Sequence, residues 1–151
     1  MRHDRYSVEA SASLLELEFY SEGPKGRVKK RVKIVPFGNG SGAYNLAFGN
    51  VAANGEIDDL RVTNNNDSQK VLATVAHTAY DFFEKHPDCF IYAAGSTKAR
   101  TRLYRMGITN NLAEITIDFV VYGFYDDVWE VFERGKDYEA FLIKKSGIFG
   151  A

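Results

Sequence analysis

One cysteine, Cys89, occurs in 151 residues. A single thiol excludes an internal disulfide framework and a zinc site built from several cysteines. No apolar run approaches the roughly 20 residues needed to cross a bilayer. The opening stretch MRHDRYSVEA lacks the apolar core of a secretory signal. These absences predict a cytoplasmic protein with no membrane partner, in which the sequons at Asn39 and Asn66 carry no glycan. Charge of one sign is also lacking. With 19 basic and 20 acidic residues the formal net charge is −1. Any attraction for nucleic acid must therefore come from a local patch.

Aromatic residues are plentiful: 9 Tyr, 11 Phe and 1 Trp. They favour sheet structure and leave large side chains for an interface as well as a core. The length suits one domain, 1–151, able to bury a core without staples.

Residues 14–34 read as a β-hairpin. Leu15, Leu17 and Phe19 alternate with Glu16, Glu18 and Tyr20, and Val28, Val32 and Ile34 alternate with Arg27, Lys29, Arg31 and Lys33. Matching the apolar faces around Gly23-Pro24 predicts Glu18 opposite Lys29 and Glu16 opposite Arg31. Phe37–Gly42 reads as a loop, and Tyr44–Phe48 and Ile57–Val62 as strands. A helix is predicted over Ser68–Lys85, capped by Asp67 or Ser68, with Val71, Val75, Ala79, Phe82 and Phe83 as its apolar stripe. Pro87 stops it.

Cys89–Ala94 follows as a strand. Thr97 to about Asn110 is read as a second helix burying Ala99, Leu103 and Met106. Ile115–Tyr122 alternates as a strand. Trp129–Phe132 and Tyr138–Ile143 are read as a closing hairpin around Arg134-Gly135-Lys136. The order ββββ-α-β-α-βββ predicts an α+β fold with two helices and a mostly antiparallel sheet.

The junction Gly95–Arg105 is the most chemically suggestive stretch. A strand ends, a glycine frees the backbone, and Ser96 and Thr97 open a helix whose unpaired N–H groups suit an anion. Lys98, Arg102 and Arg105 share one helical face, with Arg100 pointing elsewhere. No acidic residue occurs from Cys89 to Ala113. Ser96, Thr97, Lys98, Arg100, Arg102 and Arg105 are thus the candidate contacts to phosphate, free or in RNA or DNA. The competing reading pairs these arginines with Asp126, Asp127, Glu130 and Glu133 and leaves an ordinary capped, solvated helix.

Other patterns carry less. The basic strand Arg27, Lys29, Arg31, Lys33 resembles a nucleic-acid stripe, but its glutamate partners argue for a charge ladder. Sheet-face binders also need exposed aromatics, of which only Tyr20 is evident there. Gly38-Asn-Gly-Ser-Gly-Ala43 matches a dinucleotide fingerprint, yet a strand rather than a helix follows it. Glu56, Asp58, Asp59 and Asp67 invite a metal reading, but Asp58 and Asp59 face opposite ways in a strand. His77, His86 and Cys89 lack partners at ligand spacing. No metal and no cofactor are expected.

Three segments and the closing Phe132–Leu142 stretch together carry a resemblance. They are Tyr44–Gly49 with Gly55–Leu60, Thr63–Ala76, and Gly95-Ser-Thr-Lys-Ala-Arg-Thr-Arg-Leu-Tyr-Arg105. They resemble an uncharacterised family of small single-domain proteins of Bacteroidetes-type bacteria. The resemblance implies a bacterial, cytoplasmic, single-domain protein and brings no catalytic residues. Three function classes follow from the residues. The leading one is a phosphate- or nucleic-acid-binding module in a regulatory, toxin–antitoxin or phage-defence setting, taking RNA, DNA or a phosphate-containing small molecule. The second is a small enzyme on a nucleotide or nucleic acid, with Arg100, Arg102 and Arg105 as transition-state clamps and an acid such as Asp59 as base or metal ligand. The third is a homo-oligomeric interaction protein, for instance a homodimer.

Overall fold

In the computed structural model, which describes residues 5–6, 9–10, 15–37, 42–58, 67–95 and 97–146, the alternating stretch forms β2 (Glu16–Gly23) and β3 (Gly26–Pro36). The two-residue strand β1 (Glu9–Ala10) precedes them. Pro24-Lys25 makes the turn between the Gly23↔Gly26 pair, and Gly26 takes φ +86°. The register sets Glu18 opposite Arg31 and Glu16 opposite Lys33, two residues from the expected one. A two-residue slip keeps every side chain on its face, so apolar matching cannot detect it. The turn decides: proline presets the first turn position and glycine supplies the positive φ. The charge ladder forms nonetheless, with Lys29 Nζ 3.1 Å from Glu18 and Arg31 Nε 2.7 Å from Glu18 and 3.4 Å from Glu16.

Strand β4 (Ala43–Val51) lies beside β3, and β5 (Ile57–Asp58) pairs with its end. The expected strand to Val62 runs beyond the described residues. Helix α1 (Ser68–Lys85) buries Val71, Leu72, Val75, Ala79, Phe82 and Phe83, as its stripe predicts. Strand β6 (Phe90–Ala93) then pairs parallel with β4, while the other strand pairs are antiparallel.

Helix α2 spans Lys98–Asp118, eight residues past its expected end. It buries Arg100, Tyr104, Ile108, Asn111 and Ile115, while Leu103 packs half-buried against the core and Ala99 and Met106 are exposed. Two polar residues in the stripe hide its period from hydrophobicity. Gly107 survives inside the helix because α1 presses on it: an added β-carbon would lie 3.2 Å from Leu72 Cδ2. Asn111 returns its amide to Gly107 O at 2.8 Å, keeping both within the helix. Ile115 and Ile117 therefore belong to α2, and Ile117 is 74% exposed.

Strand β7 (Phe119–Tyr125) turns at Asp126-Asp127 into β8 (Val128–Val131), and β9 (Ala140–Lys145) returns on the other side of β7. The expected closing hairpin of β8 with β9 is thus replaced by a β7–β8 hairpin. Both turn aspartates have positive φ, 52° and 62°, the conformation that matches strand twist in a two-residue hairpin. The sheet order is β1-β2-β3-β4-β6-β9-β7-β8. Inward rows such as Ile34–Leu46–Ala93–Phe141–Gly123 meet both helices and form the core. Across the sheet from them run outward rows that no described helix covers. The architecture is α+β with a mostly antiparallel open sheet and two helices.

Candidate functional site

Residues of the Gly95–Arg105 junction take different positions. Ser96 lies outside the described residues. Thr97 is the N-cap of α2: its Oγ1 accepts from Arg100 N at 3.1 Å. Gly95 N donates to Thr101 Oγ1 at 3.1 Å. Gly95 is required here, because a β-carbon would come within 2.5 Å of Thr101 N. Lys98 and Arg102 are exposed. Arg105 donates to Lys136 O at 3.2 Å and pairs with Asp137. That partner is none of the four acids expected. Glu130 and Glu133 instead bind Lys136, at 2.6 and 3.4 Å.

Arg100 is only 2% exposed, with its guanidinium 4.9 Å from the Phe48 ring centre. It belongs to a buried polar cluster where β4 and β6 end and both helices begin. Lys30, 4% exposed, donates to Asn50 Oδ1 at 2.7 Å. Burial pushes the Lys30 ammonium below its usual range, the neighbouring Arg100 charge adds to this, and Asp67 opposes it. Asp67 caps α1 with its backbone but not its side chain. Its carboxylate accepts instead from Tyr6 Oη at 2.6 Å and Ser21 Oγ at 2.5 Å. Asp59 lies outside the described residues, as does the Gly38–Ser41 part of the fingerprint-like loop.

The uncovered face of the sheet gathers what the sequence scatters. One outward row reads Val35–Asn45–Tyr92–Leu142–Tyr122–Val131. Phe37, just past β3, stacks on Tyr92 with ring centres 5.1 Å apart and planes 3° from parallel. Trp129 meets Tyr92 edge-on at 6.2 Å and Phe124 at 5.2 Å. Phe37 is 50% and Trp129 42% exposed. Lys144 Nζ lies 5.9 Å from the Tyr122 ring centre, Lys33 is exposed beside Val35, and Arg27 covers Tyr20 at 3.8 Å. Between the β3 cations and the β6 aromatics, β4 contributes only Asn45, Ala47 and Gly49, so its strip is the low floor of the face.

Sequence reasoning found Tyr20 on this face and missed Phe37, Tyr92, Tyr122, Phe124 and Trp129. The signal was present in Phe90-Ile91-Tyr92-Ala93, where period-2 reading puts both aromatics on one side. The apolar run reads equally well as a strand buried on both faces.

His77 lies 3.7 Å from Asp81 one turn on, and burial holds its imidazole below its ordinary pKa. His86 stacks on Phe82 at 4.6 Å, and burial raises the Cys89 thiol. An apolar cavity of about 80 Å³ separates the helices from the sheet, lined by side chains such as Leu46, Leu72, Ile91 and Ile108.

The chain belongs to a family described as a family of unknown function (DUF6934), whose model matches residues 2–146. No curated protein and no solved structure matches the chain. No helix among the described residues is long and apolar enough to cross a membrane.

Proposed function

We propose that the chain is a single-stranded nucleic-acid-binding domain that uses the uncovered face of its sheet. The observation that carries this reading is the aromatic row Phe37–Tyr92–Trp129–Phe124, bordered by Lys33 and Lys144, on the side away from the helices. Each base has a π-face, and a stack on an aromatic ring is worth about 1–3 kcal/mol. Phe37 and Trp129 are both substantially exposed on this face. Lys33 and Lys144 supply charge for phosphates, and the β4 floor leaves room for a strand between them. Bases held in a duplex cannot reach such a platform, so the reading favours unpaired strands.

A second reading stays with the junction. Lys98 and Arg102 are exposed and have no ion-pair partner among the described residues, which supports an anion contact on the helix layer. Fluorescence anisotropy of labelled single-stranded RNA and DNA, over a salt series, separates the two. The platform reading expects binding that weakens steeply with salt. It also expects loss in Phe37→Ala and Lys144→Ala but not in Lys98→Ala or Arg102→Ala. The reverse pattern moves the site to the junction. No binding of either oligonucleotide at low salt overturns both.

A further inference from the structure

Among the described residues the sheet has two edges: β1, of two residues, and β8, of four, with Val128, Trp129 and Val131 exposed by 58%, 42% and 62%. Edge strands are usually blunted by Lys, Pro or a bulge. β8 carries no Lys, Pro or bulge, and its one charge, Glu130, is held by Lys136 and Tyr138 of its own chain.

Its hydrogen-bonding direction follows from the hairpin. The two-residue turn closes on the pair Tyr125↔Val128, and Phe132 N donates to Val121 O at 2.9 Å. Antiparallel pairs alternate between bonded and non-bonded. Residues 128, 130 and 132 therefore turn their backbone groups toward β7. Trp129 and Val131 turn theirs outward, to the free edge.

We propose that β8 pairs antiparallel with β8 of a second copy of this chain, about a two-fold axis at Glu130. In that register Trp129 faces Val131 of the other copy and Val131 faces its Trp129. The outward N–H and C=O groups of both residues are then satisfied by the same residues of the other copy. The side chains of Trp129 and Val131 lie on the uncovered face, so each crossing makes an aromatic–β-branched pair, a favourable cross-strand combination. Glu130 meets its own copy at the axis, where like charges would repel. Each Glu130 already accepts from Lys136 Nζ at 2.6 Å and Tyr138 Oη at 2.8 Å, so its charge is compensated within its own chain. The two sheets become one, and the aromatic rows join through Trp129 and its copy.

Light scattering coupled to size-exclusion chromatography reads the mass across a micromolar concentration range. The expected mass is twice the 17.0 kDa of one chain. Val131→Pro removes an outward N–H, which an edge strand tolerates, and Val131→Lys places a charge against Trp129 of the other copy. Both should return the single-chain mass with an unchanged far-ultraviolet circular dichroism spectrum. Register is tested in a Cys89→Ser background. Glu130→Cys places two thiols at a non-bonded pair with Cα atoms about 4.5 Å apart, within disulfide reach. Val128 lies two residues from the axis, so Val128→Cys thiols are separated by about four residue rises, roughly 14 Å. Mild oxidation should link Glu130→Cys dimers and not Val128→Cys. A single-chain mass at every concentration overturns the proposal. So does a dimer untouched by both Val131 substitutions, or equal linking at both cysteine positions.

Discussion

Phe37 lies flat against Tyr92, with ring centres 5.1 Å apart and planes only 3° from parallel. The two residues are far apart in sequence and meet because β3 runs antiparallel to β4 and β4 parallel to β6, which brings the end of β3 beside the start of β6. Since Phe37 is half exposed, it is not needed to fill the core. Phe37→Ala is expected to shift the urea midpoint little. It should weaken oligonucleotide binding by about tenfold, the lower part of the range for one lost stack. Anisotropy and urea unfolding on the same protein separate the two effects.

Tyr138 covers Gly123 so closely that a β-carbon there would sit 2.3 Å from its Cδ1. The ring cannot retreat cheaply, because its hydroxyl donates to Glu130 and accepts from Glu133 N at 3.0 Å. Gly123→Ala should lower stability by about 2–3 kcal/mol, as overpacking in a fixed site does. Tyr138→Phe, which keeps the ring, should lose only about 1 kcal/mol. Chemical unfolding of both variants checks the ratio.

Arg100 and its helical neighbours differ by environment rather than type. Arg100→Ala removes a buried side chain that lies over Phe48, and is expected to cost roughly 2–4 kcal/mol. Lys98→Ala and Arg102→Ala change exposed positions and should stay within about 0.5 kcal/mol. Equal destabilisation by all three in urea would contradict this placement.

The charge ladder makes stability depend on pH. Hydrogen bonds from Arg31 foremost, with Lys29 assisting and burial opposing, hold the Glu18 carboxyl below its ordinary pKa. In the window below the unfolded value, about 4.3, the unfolded chain binds more protons than the folded one. Stability from this group is therefore full above that value and is lost as pH falls through the folded pKa. Glu18→Gln should flatten the decline in urea midpoint on acidification relative to the parent chain.

Much of the fold is legible because it rests on period. The β2–β3 alternation, the α1 stripe and the Pro87 stop are local signals. The departures have identifiable causes. The hairpin register turned on Pro24 and Gly26, since a slip of two preserves face. The length of α2 is masked by Arg100 and Asn111 within its buried stripe. The β7–β8 turn uses two aspartates in left-handed geometry, where Asn-Gly or Asp-Gly is the stronger sign. The junction residues were read by type, and type alone does not say that Arg100 is buried or that Arg105 meets Asp137. The aromatic platform needs strand order, because Tyr92, Tyr122 and Trp129 become neighbours only once β9 is placed between β6 and β7.

The chain has one tryptophan, Trp129, and it sits in that row. Its emission therefore reports on the platform without a label. Titration with single-stranded oligonucleotide at low salt should quench Trp129 saturably, and added salt should reverse the quench. A matched duplex should quench it far less. Emission that stays unchanged while anisotropy shows the same oligonucleotide bound would contradict the account, since binding would then occur away from the sheet face.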